Sequence, residues 1–151
     1  MTSPTDFGVL LGLAYQGFVE QLHAHLADRG FTRIGPADGY VVRALAEAPL
    51  NQRELAHRLR ITEQGAGKIV AEMQRRKLIT RRADPSDARA WRLHLATRGE
   101  LLLREARGFH HRFETALSRA QGADAAAARR ALEWIVERSA DDTSQGRLRM
   151  T

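Results

Sequence analysis

Apolar residues return every third or fourth position near the N-terminus: Phe7, Leu11, Ala14, Phe18, Leu22 and Leu26 share one face of a helix, which Asp28-Arg29-Gly30 would end. Leu10, Leu13, Tyr15 and Val19 lie off that stripe, so the helix carries more apolar surface than one packing face needs. Pro36 fits the first turn of a second helix with Tyr40, Val41, Ala44 and Leu45 as its apolar face, and Ala48-Pro49 closes it.

The run "NQRELAHRLRITEQGAGKIVAEMQRRK" then predicts two short helices joined by a tight turn. Asn51 and Glu54 have the spacing of a capping box, and Leu55, Ala56 and Leu59 point inward. After a break at Arg60-Ile61, Thr62 can cap a helix buried through Ala66, Ile69, Val70 and Met73. Beyond Lys77 the period falls to two: "LITRR" and "AWRLHLA" read as strands around the turn "DPSD". Thr97 and Glu100 suggest another capping box, followed by a stripe of Leu102, Ala106, Phe109, Phe113 and Leu117. Gly122 interrupts, Asp124 can cap, and a last helix turns Leu132, Ile135 and Val136 inward before a tail, 140–151, expected to be disordered. The order is mainly α with one small β-hairpin.

At 151 residues the chain suits a single domain. Charge matters once it is located. Residues 1–52 hold 3 basic and 5 acidic groups, residues 53–98 hold 12 and 5, and residues 99–151 hold 9 and 8, so the middle third carries the whole net charge of +6. That is the footprint of a nucleic-acid-binding module in a neutral frame, although a solvated basic surface would look the same. Cysteine is absent, which excludes disulfides, thiolate metal sites and thiol redox chemistry on this chain. No apolar run is long enough for a membrane span and the N-terminus lacks signal-peptide order, so a cytoplasmic protein is expected.

Helix, turn, helix and basic hairpin suit double-stranded DNA geometrically. A helix fits the major groove with its N-terminal residues at base edges. On the helix spanning 62–76, the face opposite the apolar stripe presents Gln64, Gly65, Lys68, Glu72 and Arg75. Gln64 suits adenine, Lys68 guanine or phosphate, and Arg75 phosphate; Thr62 and the first-turn amides can also meet a phosphate. Asn51 and Gln52, at the start of the preceding helix, complete the candidate contacts there. Gly65 and Gly67 inside a helix cost about 1 kcal/mol each relative to Ala, which close approach of backbone to DNA would explain, as would simple tolerance of flexibility there. Arg89, near the hairpin tip over 84–90, can enter the adjacent minor groove, with Asp87 holding its guanidinium.

Other chemistries fare poorly. "GAGK" fails the phosphate-loop pattern twice, at Thr62 and Ile69, so nucleotide hydrolysis is not expected. His23/His25 and His110/His111 point to different helix faces and make a poor metal site, and neither a catalytic set nor a cofactor motif is present.

Over about residues 36–103 the chain resembles the MarR family of winged helix-turn-helix regulators. "LNQRELAHRLRIT" is similar to its first helix and turn, "EQGAGKIVAEMQRRKLITR" to its recognition helix and first wing strand, and "DPSDARAWRLHLATRG" to its D-P-x-D-x-R wing signature and the helix start that follows. The resemblance implies a winged domain over 36–96, flanked by dimerisation helices over 5–30 and 97–139, in a homodimer on a pseudo-palindromic operator. It implies wing roles for Asp87 and Arg89, and base or phosphate contacts for Thr62, Gln64, Gly65 and Lys68. It also implies release by a small aromatic or anionic effector, for which Arg43 is the candidate anchor, near Tyr15, His23, Trp91 or His111. Ala88 stands where a second wing arginine is usual, and Lys77 and Arg60 where glycine is. A sequence-tolerant architectural DNA-binding protein would use the same basic face.

Overall fold

The computed structural model describes residues 5–148, with side chains described through Ser139. Six helices and one hairpin follow in order: α1 (Phe7–Ala27), α2 (Asp38–Glu47), α3 (Gln52–Leu59), α4 (Glu63–Arg75), β1 (Ile79–Asp84), β2 (Asp87–Leu95), α5 (Thr97–Gln121) and α6 (Ala123–Leu148). The chain divides into two compact units, one ending at Phe109 and one starting at His110, where the sequence suggests a single domain.

The first unit holds the core. Val41, Val42 and Leu45 of α2, Leu55 of α3, Val70 and Met73 of α4, Leu78 and Ile79 at the start of the hairpin, Leu93 of β2, and Leu102 and Leu103 of α5 are buried together with Leu26 and Phe31. The burial that periodicity assigned to α4 is therefore present at Ala66, Val70 and Met73, with Ile69 half-buried. α1 differs. Of its stripe Leu26 is buried whereas Phe7 is 63% exposed, and Tyr15, off the stripe, is 65% exposed. Toward its C-terminal half, Phe18 meets the ring of Phe109 edge-on at 5.5 Å and Arg29 pairs with Glu105 at 2.6 Å, tying α1 to α5.

In the second unit, Leu132 and Val136 of α6 are exposed and Ile135 is half-buried, so the expected inward face is not covered within the unit. Its backbone stays helical through Leu148, past the expected end of the helix before residue 140, because no proline intervenes; residues 149–151 of the expected tail lie outside the described residues. The residue after Gly122, whose φ is +56°, begins the helix, so Asp124 falls in the first turn rather than at the cap.

Two caps form as expected and one does not. The Asn51 Oδ1 accepts from the Glu54 N–H at 2.8 Å while the Glu54 Oε2 accepts from the Asn51 N–H at 2.9 Å, a complete capping box on α3. The Thr62 hydroxyl accepts from the Gly65 N–H at 3.0 Å and caps α4. At α5, however, Thr97 is already helical and the Glu100 N–H bonds the Ala96 carbonyl at 3.0 Å, so the Thr97/Glu100 box is displaced by one residue and Ala96 offers no side-chain oxygen.

Both helices of the helix-turn-helix close with a non-glycine residue in left-handed backbone: Arg60, φ 56°, after α3 and Lys77, φ 59°, after α4. That conformation costs an L-residue about 1–2 kcal/mol. A cation at a helix C-terminus recovers about 0.3–1 kcal/mol, less than the strain.

Gly99 makes the tightest approach. A Cβ there would lie 2.0 Å from the Leu78 carbonyl oxygen, so the start of α5 runs against the backbone at the root of the hairpin. The Ala96 N–H donates to the same carbonyl at 3.0 Å, fixing the junction.

Candidate nucleic-acid interface

α3 and α4 are locked by side chains that the sequence nominated for DNA. The Gln52 amide donates to the Glu63 carbonyl at 3.1 Å and its oxygen accepts from Arg81 of β1 at 3.3 Å. A Cβ on Gly67 would come within 2.9 Å of the Gln52 nitrogen. Gly67 thus makes room for helix-helix packing, not for an approaching ligand. At Gly65 the backbone N–H is already spent on Thr62, and the Asn51 side chain is spent on its capping box. Arg75 pairs with Glu72 one turn back.

The outward face is what remains. Gln64 and Lys68 are exposed on the first turns of α4, and their side chains make no hydrogen bond or ion pair among the described residues. Thr62, exposed at the same end, keeps its hydroxyl proton as a donor while its oxygen caps the helix.

The hairpin is antiparallel, with Ile79 opposite Leu95 and Ala83 opposite Trp91, and the register slips between Ala83 and Asp84 where the turn begins. Asp84 organises that turn, its Oδ1 accepting from the Ser86 hydroxyl at 2.7 Å and the Ser86 N–H at 2.9 Å. Asp87 accepts from the backbone N–H of Arg89 at 3.0 Å. It therefore holds the main chain beneath Arg89, not its guanidinium as the sequence suggested, and the exposed Arg89 side chain has no partner among the described residues.

Arg92 escaped the sequence reading. Its Nε donates to the Asp84 Oδ2 at 2.6 Å, and its Nη1 reaches the Pro49 carbonyl at 3.2 Å and the Glu54 Oε2 at 3.3 Å. One guanidinium therefore joins the wing turn to the start of α3. Period-two patterning placed Arg92 on a polar face, but pairing across 38 residues leaves no local signal.

The two Ser86 bonds, with Arg92 after them, hold the Asp84 carboxyl down at about 2, against an ordinary value of 3.8. The unfolded chain then binds the proton more readily than the folded one, so Asp84 contributes its full stability above roughly pH 4 and loses it as the pH falls toward 2. The stability gap between the wild type and Asp84→Asn should be flat at neutral pH and close across that acid window in pH-dependent denaturation. A gap unchanged down to pH 2 would contradict this account of the turn.

Two further polar features flank the helix-turn-helix. Asp38, 2% exposed at the start of α2, accepts from the Gly35 N–H at 2.8 Å and from Arg76 Nη2 at 3.0 Å, and Arg76 also donates to the Arg33 carbonyl at 2.9 Å. The hydrogen bond to Asp38 pushes the Arg76 guanidinium above its ordinary value, outweighing the opposing effect of burial. A crevice of about 520 Å³ is lined by Leu45, Leu95, Leu103, Arg82, Arg104 and Arg107, among others. Arg43, the candidate effector anchor, instead donates to the Gly39 carbonyl at 3.1 Å and lines neither this crevice nor the larger cavity beside His23 and Arg76. Among the described residues no cluster of three or more His, Asp or Glu is placed to hold a metal ion, and no helix is long and apolar enough to cross a membrane.

Comparison with known proteins gives this geometry a context. Residues 30–90 match the model described as the MarR family. No curated protein matches the chain. Among solved structures, the transcriptional repressor CouR bound to a 23-mer DNA duplex is similar at 27% identity and a TM-score of 0.66, covering 89% of this chain and 92% of that one. A variant of S. aureus MepR bound to an oligodeoxyribonucleotide, at 19% identity, has a TM-score of 0.60 over 88% of this chain and 97% of that one. YusO from Bacillus subtilis, also at 19% identity, gives 0.64 over 87% and 93%. Of these neighbours CouR is a transcriptional repressor, and the similar Tm0710 of Thermotoga maritima is a transcriptional regulator.

Proposed function

We propose that this chain, whose residues 30–90 match the model of the MarR family, is a sequence-specific double-stranded DNA-binding regulator acting as a homodimeric repressor. The observation that carries the reading is the set of exposed side chains without internal partners on the helix and hairpin: Gln64 and Lys68 on α4, and Arg89 at the wing. In this reading α4 enters the major groove of a pseudo-palindromic operator and the wing, 84–90, reaches the adjacent minor groove. Gln64 and Lys68 meet base edges, Thr62 and Arg75 meet phosphates, and Arg89 probes the narrow groove. Asn51, Gln52, Gly65 and Asp87 set the contacting backbone in place through the bonds already described.

A second copy of the chain would cover α1, where Phe7, Leu10, Leu13 and Tyr15 are each more than half exposed. A small anionic effector with an apolar body would find cations and a leucine floor in the crevice at Arg82, Arg104 and Arg107, a better anchor than Arg43. DNA as the partner accords with the cytoplasm as the place of action.

The test is binding to DNA from the chain's own upstream region against scrambled DNA, for the wild type and for Arg89→Ala. A specific preference of at least about 1000-fold is expected at physiological salt. Arg89→Ala should weaken operator binding by about tenfold while folding and self-association persist. Equal affinity for both DNAs would favour the architectural alternative, and an unchanged Arg89→Ala would remove the wing from the interface.

A further inference from the structure

We infer that Arg60 is a phosphate-contacting residue of the interface, kept in a strained backbone conformation for that contact; the inference rests on the DNA-binding reading above. Arg60 has φ 56° and ψ 40°, with its backbone N–H bonded to the carbonyls of Ala56 and His57. Glycine would take this conformation without strain, and the backbone bonds ask nothing of the side chain. Yet the position holds an exposed guanidinium that has no partner among the described residues. The acids nearest in sequence are engaged elsewhere: Glu63 faces Arg53 at 3.6 Å, and Glu54 serves Asn51 and Arg92.

Lys77 separates the two explanations for such a cation. It has the same left-handed backbone and also follows the end of a helix, so any benefit from the helix dipole applies to both residues. What differs is location. Arg60 immediately precedes the end of α4 that carries Thr62, Gln64 and Lys68, whereas Lys77 follows the other end, about 20 Å away along a helix of 13 residues. A charge selected for the dipole would act alike at both sites; one selected for DNA would act only at Arg60.

The experiment compares the full-length wild type with Arg60→Gly, Arg60→Asn and Lys77→Gly. Each is measured for thermal stability and for affinity to a mixed-sequence duplex of roughly three helical turns across a series of salt concentrations. Arg60→Gly and Lys77→Gly should both melt higher than the wild type, since both relieve strain. Arg60→Gly and Arg60→Asn should bind about tenfold more weakly. Their log-affinity against log-salt slopes should be shallower by about 0.9 per protomer bound. Lys77→Gly should bind as the wild type does. Wild-type slopes in both Arg60 variants would overturn the assignment while leaving DNA binding intact, and a wild type that fails to bind the duplex at low salt would overturn both.

Discussion

Replacing Gly99 by alanine should destabilise the protein by about 3–5 kcal/mol, a large fraction of the stability of an ordinary domain. The added methyl would sit 2.0 Å from the Leu78 carbonyl oxygen and 3.0 Å from its carbon, and neither atom belongs to a side chain that can rotate away. Relief requires α5 to move off the root of the hairpin. That movement breaks the 3.0 Å bond from Ala96 to the same carbonyl and parts Leu102 and Leu103 from a core shared with Leu78 and Ile79. Chemical denaturation of the purified variant measures the loss directly. A cost below about 1 kcal/mol would mean the junction opens without disturbing the core.

Asp38→Ala should cost about 2–4 kcal/mol. The carboxylate is 2% exposed and its partner Arg76 is buried on most of its side chain. Removing Asp38 leaves the buried guanidinium only the more exposed Glu72, at 3.5 Å, and the Arg33 carbonyl, while the Gly35 N–H loses its acceptor as well. Arg76→Leu alone should be comparably damaging, because it strands the carboxylate. The double substitution Asp38→Ala/Arg76→Leu should recover much of the loss, since no unpaired charge then remains. Additive losses in the double-mutant cycle would contradict the pairing as the source of the effect. The pair also links the C-terminal end of α4 to the start of α2, so the single variants should loosen α4 at the end away from Gln64.

Where a structural decision was local, the sequence displayed it. The boundaries of α3 and α4 follow from Asn51, Thr62 and the apolar period between them, and the hairpin turn from Asp84-Pro85-Ser86-Asp87. The outward set Gln64, Lys68 and Arg89 was legible for the same reason, since each lies opposite a buried stripe or at a turn. Long-range pairings were not legible. Gln52 reads as an exposed polar residue at a helix start until the fold brings Gly67 and Arg81 against it. Arg76 and Asp38 look like two surface charges until the fold buries them together. The exposed leucines of α1 show the converse: a period fixes which residues share a face, but not whether the same chain covers that face.

Arg92 gives the hairpin a mechanical property. Its guanidinium is bonded at once to the wing turn, to the loop after α2 and to the first turn of α3. A two-stranded ribbon standing alone would wag, and would surrender that freedom on meeting any partner. Braced in this way, the ribbon is calibrated in advance: under the proposed DNA-binding function, the span from Arg89 to Gln64 would be a ruler whose length is set by the protein, and a duplex that did not match it would itself have to bend or widen.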